Sequence, residues 1–359
     1  MSEFHVRAIK VGPIEKHPGA DNLSITQIDA TDGNEGYPVI IKTGDFTEGQ
    51  LVSYIPVDSI VPDSPQWAFL KGHRRIKARK LRGIFSMGLL CPLPPGDWKE
   101  GDNLQEALGI TKYDPEVVNE IPNDPWTGPK LKGWGLIYWL KKLYYYWKFG
   151  RSKVSGTPKF TFPEFTDVES LRKWGKVLRD SEEVVITEKI HGCDARFAFH
   201  KKHFWVGSHH QFKGRPKTGK ADNFWQAAFN ATLETKLAKA PGIAFFGEVY
   251  GKVQKGFPYD RPGDVRVRFF DAMDLTTLRY LDYQDFVNLC DRLDLEMVPL
   301  LYKGPWKEEL KTLAEGQSCL AKHIREGFVI KPTKERHDSK LGRVVLKMVG
   351  EAYLTNKDS

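Results

Sequence analysis

The residue in this sequence with the clearest chemical potential is Lys189, in the segment TEKIHGCDARF. A lysine amine becomes a nucleophile when it loses its proton, and burial or a neighbouring cation promotes that loss by lowering the pKa of the amine. Such an amine can attack the α-phosphorus of a nucleotide. Gly192 follows three residues later, and without a Cβ its backbone can approach a ligand closely. Because Lys-x-x-Gly is a common spacing, an exposed strand lysine is the alternative interpretation.

Further segments with chemically useful side chains follow Lys189. Their carboxylates can hold a divalent metal ion, and their lysines can neutralise the charge that develops when a phosphoryl group is transferred. Five such segments rarely occur by chance in the order found here. The four that follow are FFGEVYG with Glu248, RFFDAMD with Phe270, EGFVIK with Glu326 and Lys331, and VLKMV with Lys347.

These five segments resemble the motifs shared by ATP-dependent DNA ligases, RNA ligases and mRNA capping enzymes, the covalent nucleotidyltransferase superfamily. The resemblance covers about residues 166 to 354. The histidine at position 191, two residues after the lysine, looks most like the RNA ligases that repair nicks in duplexes. The N-terminal module described below points to the Deinococcus-type RNA ligases, because DNA ligases usually carry such a module at the C-terminus.

The resemblance also implies a role for each matched residue. Lys189 would form a covalent lysyl-AMP with the help of His191, Phe270 would stack on the adenine, and Glu248 would hold the ribose. The implied catalytic residues are Lys189, His191, Glu326 and Lys347. The implied ligands of the Mg2+ or Mn2+ ion are Glu248 and Glu326. The implied ATP-binding residues are Glu188 through its backbone, Lys189, Ile190, Gly192, Asp194, Glu248, Phe270, Glu326, Lys331 and Lys347.

Two positions near the end of the chain leave alternatives open. Strict strand alternation places Glu326 and Lys331 on opposite faces, so either the strand bends there or Lys331 is solvated. Related proteins often carry a second lysine two residues before Lys347, where this chain has Val345. Arg343 or Lys331 would then supply the missing charge.

The segment VGSHHQFK departs from the family pattern as well. It aligns with a motif that usually offers Arg or Asn to the 3′-OH or to the adenylate, but here the side chains are His209 and His210. We expect both histidines and Lys213 to contact nucleic acid. Asp194 stands where related ligases carry Asn or Arg, and it is either a metal ligand or a turn residue.

Strand-like and helical segments alternate from about residue 166 onward and must position these side chains. The helical segment DNFWQAAFNATLETKL has Asp222 as its N-cap and places Trp225, Phe229, Leu233 and Leu237 on one face. Mixed segments of this kind predict an α+β domain with antiparallel sheets. The predicted strands are VVITEKI, ARFAF, HFWVGS, IAFFGEVYG, VRVRFFDAMD, EGFVIK and RVVLKMV.

The first 110 residues show a different pattern of short β-branched runs separated by turn clusters such as HPGADN, DGNEG and PPGD. This spacing predicts a small antiparallel barrel. HPGADNLSITQIDA and RGIFSMGLLCPL resemble the tRNA-binding OB module that is appended to some synthetases. Such barrels bind nucleic acid with basic grooves and aromatic platforms, although others serve as plain protein contacts.

The charge of the N-terminal module is concentrated in one segment. Residues 1–110 contain 12 Lys and Arg against 14 Asp and Glu, yet seven of those cations lie in KGHRRIKARKLR, which has no acid. The whole chain carries a formal charge of +8, which favours polyanionic partners. We therefore expect this basic stripe to bind nucleic acid, with a solvated loop as the alternative. Its cations are Lys71, Arg74, Arg75, Lys77, Arg79, Lys80 and Arg82.

These patterns divide the 359 residues into three parts: an OB-fold module at 1–110, an aromatic and basic linker at 111–165, and a nucleotidyltransferase domain at 166–359. Within the linker, GLIYWLKKLYYYWKF is interpreted as packing between domains rather than as a membrane-surface helix. The four cysteines form no CxxC pair, so buried thiols are expected rather than a zinc or redox site.

The combined prediction is an ATP-dependent RNA ligase that seals 3′-OH and 5′-phosphate ends. Its partner would be a nicked duplex with an RNA 3′-OH end, and the protein would act as a monomer. An mRNA capping-type guanylyltransferase and a non-catalytic nucleic-acid-binding protein are the alternatives. The chain has neither an apolar stretch of about 18 residues nor an apolar signal core at its N-terminus. We therefore expect no membrane association and a cytoplasmic or virus-encoded intracellular protein.

Overall fold

Antiparallel strands dominate the structure, as the β-branched runs predict. The computed structural model describes residues 4–30, 34–113, 162–216, 221–251, 253, 259 and 264–355. Most of the predicted linker, including GLIYWLKKLYYYWKF, lies outside these ranges. None of the helices in the described ranges combines the length and apolar character needed to cross a membrane.

The N-terminal part consists of ten short strands. β1, β5 and β9 form one three-stranded sheet, and β2, β3 and β4 form another. Alternating buried residues of these strands fill two apolar clusters, one around Val6, Ile55 and Trp67 and one around Ile28, Val39 and Val52. The strands are β1 (Arg7–Lys10), β2 (Ile14–Lys16), β3 (Leu23–Ile28), β4 (Tyr37–Lys42), β5 (Leu51–Ile55), β6 (Ser59–Ile60), β7 (Arg79–Leu81), β8 (Ile84–Ser86), β9 (Leu89–Cys91) and β10 (Thr111–Lys112).

The C-terminal part is built on two larger sheets and one small hairpin. Its strands are β11 (Glu169–Ser170), β12 (Glu183–Lys189), β13 (Cys193–His200), β14 (His203–Ser208), β15 (Phe212–Lys213), β16 (Ile243–Gly251), β17 (Val265–Asp274), β18 (Arg279–Tyr280), β19 (Leu300–Pro305), β20 (Gly327–Pro332), β21 (His337–Asp338), β22 (Gly342–Arg343) and β23 (Leu346–Val349). One sheet has the order β11-β23-β20-β12-β19 and the other β15-β14-β13-β16-β17-β18. Every predicted strand is therefore present.

The helices are short. They are α1 (Gln105–Leu108), α2 (Leu171–Trp174), α3 (Asn223–Asn230), α4 (Leu233–Leu237), α5 (Tyr283–Leu293) and α6 (Glu351–Leu354), with 3-10 turns at Pro65–Leu70, Gly175–Val177 and Glu308–Ala314. Helices α3, α4 and α5 pack on the six-stranded sheet through an apolar cluster that includes Trp225, Leu237 and Phe286.

One prediction about the helices is wrong. The segment after Asp222 is not one helix, because Thr232 adopts a left-handed conformation with φ 52° and separates α3 from α4. Asp222 does cap α3, since its side chain accepts a hydrogen bond from the backbone N–H of Trp225 at 2.8 Å. Trp225, Leu233 and Leu237 are buried as predicted, but Phe229, in the same helix as Trp225, is 47% exposed.

The cysteines also differ from expectation. All four are free thiols, and among them only Cys290 is buried, whereas Cys319 is exposed. Burial raises the pKa of the Cys290 thiol to about 12, so this thiol stays protonated at neutral pH.

Candidate active site

A cavity of about 410 Å³ is lined by strands of both large sheets in the C-terminal part. It contains nine of the ten predicted ATP-binding positions. The lining residues from that set are Glu188, Lys189, Ile190, Gly192, Asp194, Glu248, Phe270, Lys331 and Lys347. Lys112 and Tyr113, which immediately follow the first 110 residues, also line the cavity.

Lys189 is the last residue of β12. Its side chain contacts Glu326, the tenth predicted ATP-binding residue. β12 runs antiparallel to β20 with Lys189 opposite Gly327, so that Glu326 lies immediately before β20 at the same end. The Lys189 Nζ atom is 2.7 Å from Glu326 Oε1. The end of β12 and the residue that precedes β20 thus place the predicted nucleophile beside a carboxylate.

The pKa of Lys189 moves in the direction opposite to the one expected. Burial lowers the pKa of the amine, but the carboxylates of Glu326, Glu248 and Asp194 raise it more, and the net pKa is above its usual value. In the free protein the side chain is therefore an ammonium ion. A cation that neutralises these carboxylates removes the effect that holds the proton.

Gly192 is required by the neighbouring strand as well as lining the cavity. A Cβ at this position would lie 2.3 Å from the carbonyl oxygen of Val249 and 2.9 Å from Cγ of Glu248. The missing side chain lets β13 begin directly against β16, which brings Asp194 opposite Glu248.

Asp194 and Glu248 form a half-buried pair of carboxyl groups in the cavity. Burial, and then the charge of Asp194, raise the pKa of Glu248 well above its usual value. The two carboxyl groups are therefore electrostatically coupled, because a negative charge on Asp194 disfavours a second negative charge on Glu248. A divalent ion can bind both groups, because oxygen donors are the ligands that Mg2+ and Mn2+ prefer. With Glu326, the cavity thus offers three carboxylates to a metal ion.

A β-bulge presents Phe270 to the cavity. The register between β16 and β17 shifts between Phe246 and Gly247, which face Asp271 and Phe269 respectively, so that Phe270 is the extra residue. Its ring packs edge-on against Phe165 at a centroid distance of 4.8 Å. The ring is only partly buried and can serve as an aromatic platform.

Lys331 is not solvated. Its Nζ atom lies 2.9 Å from Asp271, and its side chain is 8% exposed. Glu326 precedes β20 and is followed by Gly327 with φ 152°, so strand alternation does not extend from Glu326 to Lys331. Lys331 lines the cavity and Arg343 is absent from its lining. Related proteins often carry a second lysine where this chain has Val345. Of Lys331 and Arg343, the two candidates to supply that charge, Lys331 is therefore the one that lies in the cavity.

Arg343 instead stabilises the region around Asp271. It bonds to Asp271 at 2.5 Å and to Glu335 at 2.6 Å, and its guanidinium lies 3.4 Å from the ring centre of Tyr280. Asp271 therefore joins Arg343 to Lys331. Sequence reasoning missed Asp271 because its role depends on partners 60 or more positions away along the chain.

Lys347 lies on β23, opposite Val329 of β20. Burial, followed by the positive charge of Lys189, lowers the pKa of Lys347. Two lysines that repel each other across an empty cavity favour the binding of an anion between them.

His191 is held by two tyrosines that the sequence did not reveal. Its backbone N–H donates to the hydroxyl of Tyr259 at 2.9 Å, and its Nδ1 atom is 2.7 Å from the hydroxyl of Tyr353 on α6. The same Nδ1 atom lies 3.9 Å from Glu326. Neither tyrosine belongs to a recognisable motif, so only the folded chain identifies them.

The backbone and the side chain of Glu188 both make hydrogen bonds that hold neighbouring segments in place. Its backbone N–H donates to Pro299, and its buried carboxylate accepts hydrogen bonds from Ser318 at 2.5 Å and from the Cys319 N–H at 2.7 Å. Ile190 is buried in a small cluster with Tyr250 and Tyr259. Both residues shape the cavity wall.

The structure separates the three predicted nucleic-acid contacts on VGSHHQFK. His209 lines the cavity between Asp194 (3.3 Å) and Asp167 (3.7 Å), which raise its pKa to about 10. His210 is exposed beside Glu164 at 3.3 Å. Lys213 bonds to Gln211 and is absent from the cavity lining.

The basic stripe lies at the surface of the N-terminal part. It is exposed except at Ile76 and Ala78, which are buried, and Arg75, which is half-buried. Arg75 pairs with Asp58 at 2.8 Å and stacks 3.8 Å above the ring of Tyr113. That arginine is therefore part of the wall that leads to the cavity.

Comparisons with protein families place two known domains on the chain. The family model for RNA ligase matches residues 182–349, and a model for an OB-fold domain matches residues 6–93. Both matches agree with the α+β architecture and its N-terminal barrel.

Solved structures share the whole fold. Naegleria gruberi RNA ligase with pyrophosphate has a TM-score of 0.72 at 21% identity, and a mutant of that ligase with ATP and Mn has a TM-score of 0.72 at 20% identity. Each comparison covers 98% of both chains.

Curated relatives match a smaller region. The phenylalanine–tRNA ligase β subunit of Anaeromyxobacter dehalogenans is 32% identical over 135 residues, which is 33% of this chain and 15% of the relative. The subunit of Oceanobacillus iheyensis is 33% identical over 115 residues, 31% of this chain and 13% of the relative. The chain therefore spans only a small fraction of these synthetase subunits.

Proposed function

Because the RNA ligase family model matches residues 182–349, we propose that the chain is an ATP-dependent polynucleotide ligase that works through a lysyl-AMP on Lys189. One observation carries the proposal: the Lys189 amine lies 2.7 Å from Glu326 in a cavity that also presents Lys347, Lys331, Glu248 and Phe270. Lys189 supplies a nucleophile, Lys347 and Lys331 supply positive charge for the phosphates, and Phe270 supplies an aromatic ring on which the adenine can stack.

In the first step the unprotonated Nζ of Lys189 attacks the α-phosphorus of ATP. A P–N bond forms, the bond to the β-phosphate breaks, and pyrophosphate leaves. Lys347 and Lys331 stabilise the negative charge on the phosphoryl oxygens during this transfer. Phe270 stacks on the adenine and fixes the nucleotide in the position that aligns the phosphorus with the amine.

The next two steps transfer AMP and seal the strand. A 5′-phosphate oxygen attacks the phosphorus of lysyl-AMP and releases the lysine. A 3′-hydroxyl then attacks the 5′-phosphorus, forms the phosphodiester and expels AMP. His191, held by Tyr259 and Tyr353, stays beside Glu326 and keeps this carboxylate in place.

The carboxylates fit a Mg2+ or Mn2+ ion. Asp194, Glu248 and Glu326 all act on the charge of Lys189, and burial together with the charge of Asp194 raises the pKa of Glu248. When bound, a divalent ion supplies charge neutralisation on the phosphate. The residues that would hold it are Glu248 and Glu326, with Asp194 beside them.

The proposed substrate is a nicked duplex with an RNA 3′-OH end, and the chain is proposed to act as a monomer. The exposed cations of the stripe support a polyanionic partner. The resemblance of EKIHG to nick-repairing RNA ligases supports the RNA 3′-OH end. The three-part division at 1–110, 111–165 and 166–359 is likewise a proposal, in which the first part holds the duplex.

The first step can be tested by intact mass. Purified protein incubated with ATP and Mg2+ should gain the mass of one AMP, and GTP should add no GMP. Lys189→Ala should gain nothing, whereas Lys307→Ala, which removes an exposed lysine, should behave as the wild type. Labelling by GTP instead of ATP would favour a capping-type guanylyltransferase, and an unmodified wild-type protein would contradict the proposal.

The substrate can be tested with four nicked duplexes that carry RNA or DNA on each side of the nick. We expect sealing whenever the 3′-OH strand ends in RNA, whether the 5′-phosphate strand is RNA or DNA. Efficient sealing of a DNA 3′-OH end would contradict the proposed substrate while leaving the lysyl-AMP chemistry intact.

A further inference from the structure

A second group of metal-ligating side chains lies beside the cavity. One nitrogen of His209, one nitrogen of His210 and one carboxylate oxygen of Glu164 all lie within 4.8 Å of one another. The imidazole rings meet edge to face at a centroid distance of 4.2 Å. This group is distinct from the three carboxylates around Lys189, because it contains two imidazoles and none of those carboxylates.

The spacing is close to that of a metal site. Two ligand atoms that each lie about 2.1 Å from a tetrahedral ion are about 3.4 Å apart. His210 Nδ1 and Glu164 Oε2 are 3.3 Å apart. Their side chains are 61% and 51% exposed, so both can make the small rotations needed to close on an ion. His209 is more firmly held, with 17% exposure.

Carboxylates already orient His209 in the way that metal-bound histidines are oriented. The second ring nitrogen of a ligating histidine almost always faces a carboxylate or carbonyl group. The Nδ1 atom of His209 faces Asp194 at 3.3 Å, and its Nε2 atom faces Asp167 at 3.7 Å. Whichever nitrogen binds an ion, the other therefore keeps a carboxylate partner, and the ion displaces the proton that Asp167 and Asp194 hold on the ring by raising its pKa to about 10.

We propose that Glu164, His209 and His210 bind a divalent ion that accepts imidazole ligands, such as Zn2+ or Co2+, at a second site that adjoins the catalytic carboxylates. Imidazole selects these ions over Mg2+, which prefers oxygen donors. The ion joins the segment that contains Glu164 to the end of β14, 46 positions further along the chain. Because it binds the folded arrangement only, it stabilises the protein by mass action.

The test uses the full chain, freed of metal with a chelator and then titrated with Co2+ in excess Mg2+. Visible absorption reports imidazole ligation, and thermal unfolding reports the gain in stability. We expect one Co2+ site per chain and a rise in Tm. His210→Ala and Glu164→Gln should each weaken binding by about tenfold or more. Both replaced residues are exposed, so metal-free Tm values should match the wild type.

Two matched variants make the test specific. His203→Ala removes another exposed histidine and should leave Co2+ binding unchanged. Lys189→Ala should also retain it, so that a failure of the adenylation chemistry and a failure of this site give different results. Equal Co2+ affinity in wild type, His210→Ala and Glu164→Gln would overturn the proposal, as would the absence of any imidazole-type spectrum.

Discussion

At the scale of single residues, the contact between Lys189 and Glu326 determines the protonation state of the proposed nucleophile. The free protein holds the amine as an ammonium ion, because the surrounding carboxylates outweigh the effect of burial on its pKa. A nucleotide bound with its metal ion changes that balance. In the proposed mechanism the site thus couples deprotonation of Lys189 to the arrival of the nucleotide.

Glu326→Gln tests this coupling directly. Removing the carboxylate at 2.7 Å should lower the pKa of Lys189, because it removes the strongest of the charges that raise it. The pH midpoint for labelling of Lys189 by an amine-reactive reagent, read by peptide mass spectrometry, should fall. Lys307 in the same digest gives the reference midpoint. A midpoint for Lys189 that does not move would contradict the assigned role of Glu326.

The residues that could be predicted from sequence are those with a chemical identity of their own. A lysine, carboxylates and an aromatic ring in an ordered set of segments identify the cavity, which contains nine of the ten predicted nucleotide-binding residues. Asp271, Tyr259 and Tyr353 could not be predicted. They act on Lys331 and His191 through contacts that exist only after the sheets pair.

At the scale of elements, the start of β13 depends on close backbone packing. Gly192→Ala should push β13 away from β16, because the new Cβ would lie 2.3 Å from a backbone oxygen. We expect a lower Tm and at least about tenfold slower lysyl-AMP formation. Gly175→Ala is the matched control, since its nearest neighbour would be 3.9 Å away. Similar losses in both variants would contradict the packing argument.

The loop after the Glu308–Ala314 turn is tied to β12 by one buried carboxylate. Glu188→Gln weakens the hydrogen bonds to Ser318 and the Cys319 N–H, because an amide replaces a charged acceptor. The expected cost is about 1–3 kcal/mol in the free energy of unfolding, measured with urea. Glu309→Gln, an exposed acid in the nearby turn, should cost little. Equal free energies of unfolding for the two variants would show that the hydrogen bonds of Glu188 contribute little to stability.

Strands were easier to predict than helices in this chain, for a physical reason. Each strand run carries β-branched or aromatic residues along its length, whereas the α3–α4 break depends on the left-handed conformation of Thr232. The sequence analysis also missed α5. Its buried Tyr283, Phe286, Cys290 and Leu293 follow a helical spacing that was available in the sequence.

At the scale of the whole molecule, the N-terminal part docks on the C-terminal part beside the active site. Glu35 pairs with Arg172 at 3.3 Å and with Lys311 at 2.8 Å. The Asn34 side chain also accepts a hydrogen bond from the backbone of Lys176. Lys112 and Tyr113, which follow the N-terminal module, line the cavity.

Glu35→Lys should loosen this docking, because it places a third cation beside Arg172 and Lys311. Each exposed pair contributes up to about 1 kcal/mol, so the fold of each part should survive. Small-angle X-ray scattering should show a larger radius of gyration, most clearly at low salt. Glu48→Lys makes the same charge change at an exposed site and should leave the radius unchanged. Equal radii for the two variants would exclude this docking contact.

The basic stripe gives a separate prediction about the nucleic-acid partner. Arg75 is a poor probe of duplex binding, since it also supports Asp58 and Tyr113. Arg79 and Lys80 are exposed on β7, so Arg79→Ala/Lys80→Ala removes charge with little effect on packing. Each removed phosphate contact should reduce the slope of log affinity against log salt by about one.

We therefore expect Arg79→Ala/Lys80→Ala to bind and seal nicked duplexes several-fold more weakly at physiological salt while forming lysyl-AMP at the wild-type rate. The reason is that the stripe neutralises backbone phosphates, whereas lysyl-AMP formation involves the cavity alone. Lys99→Ala removes an exposed lysine of the N-terminal part outside the stripe and serves as the control. If both variants show the same salt dependence as the wild type, the stripe is a solvated loop and the duplex binds elsewhere.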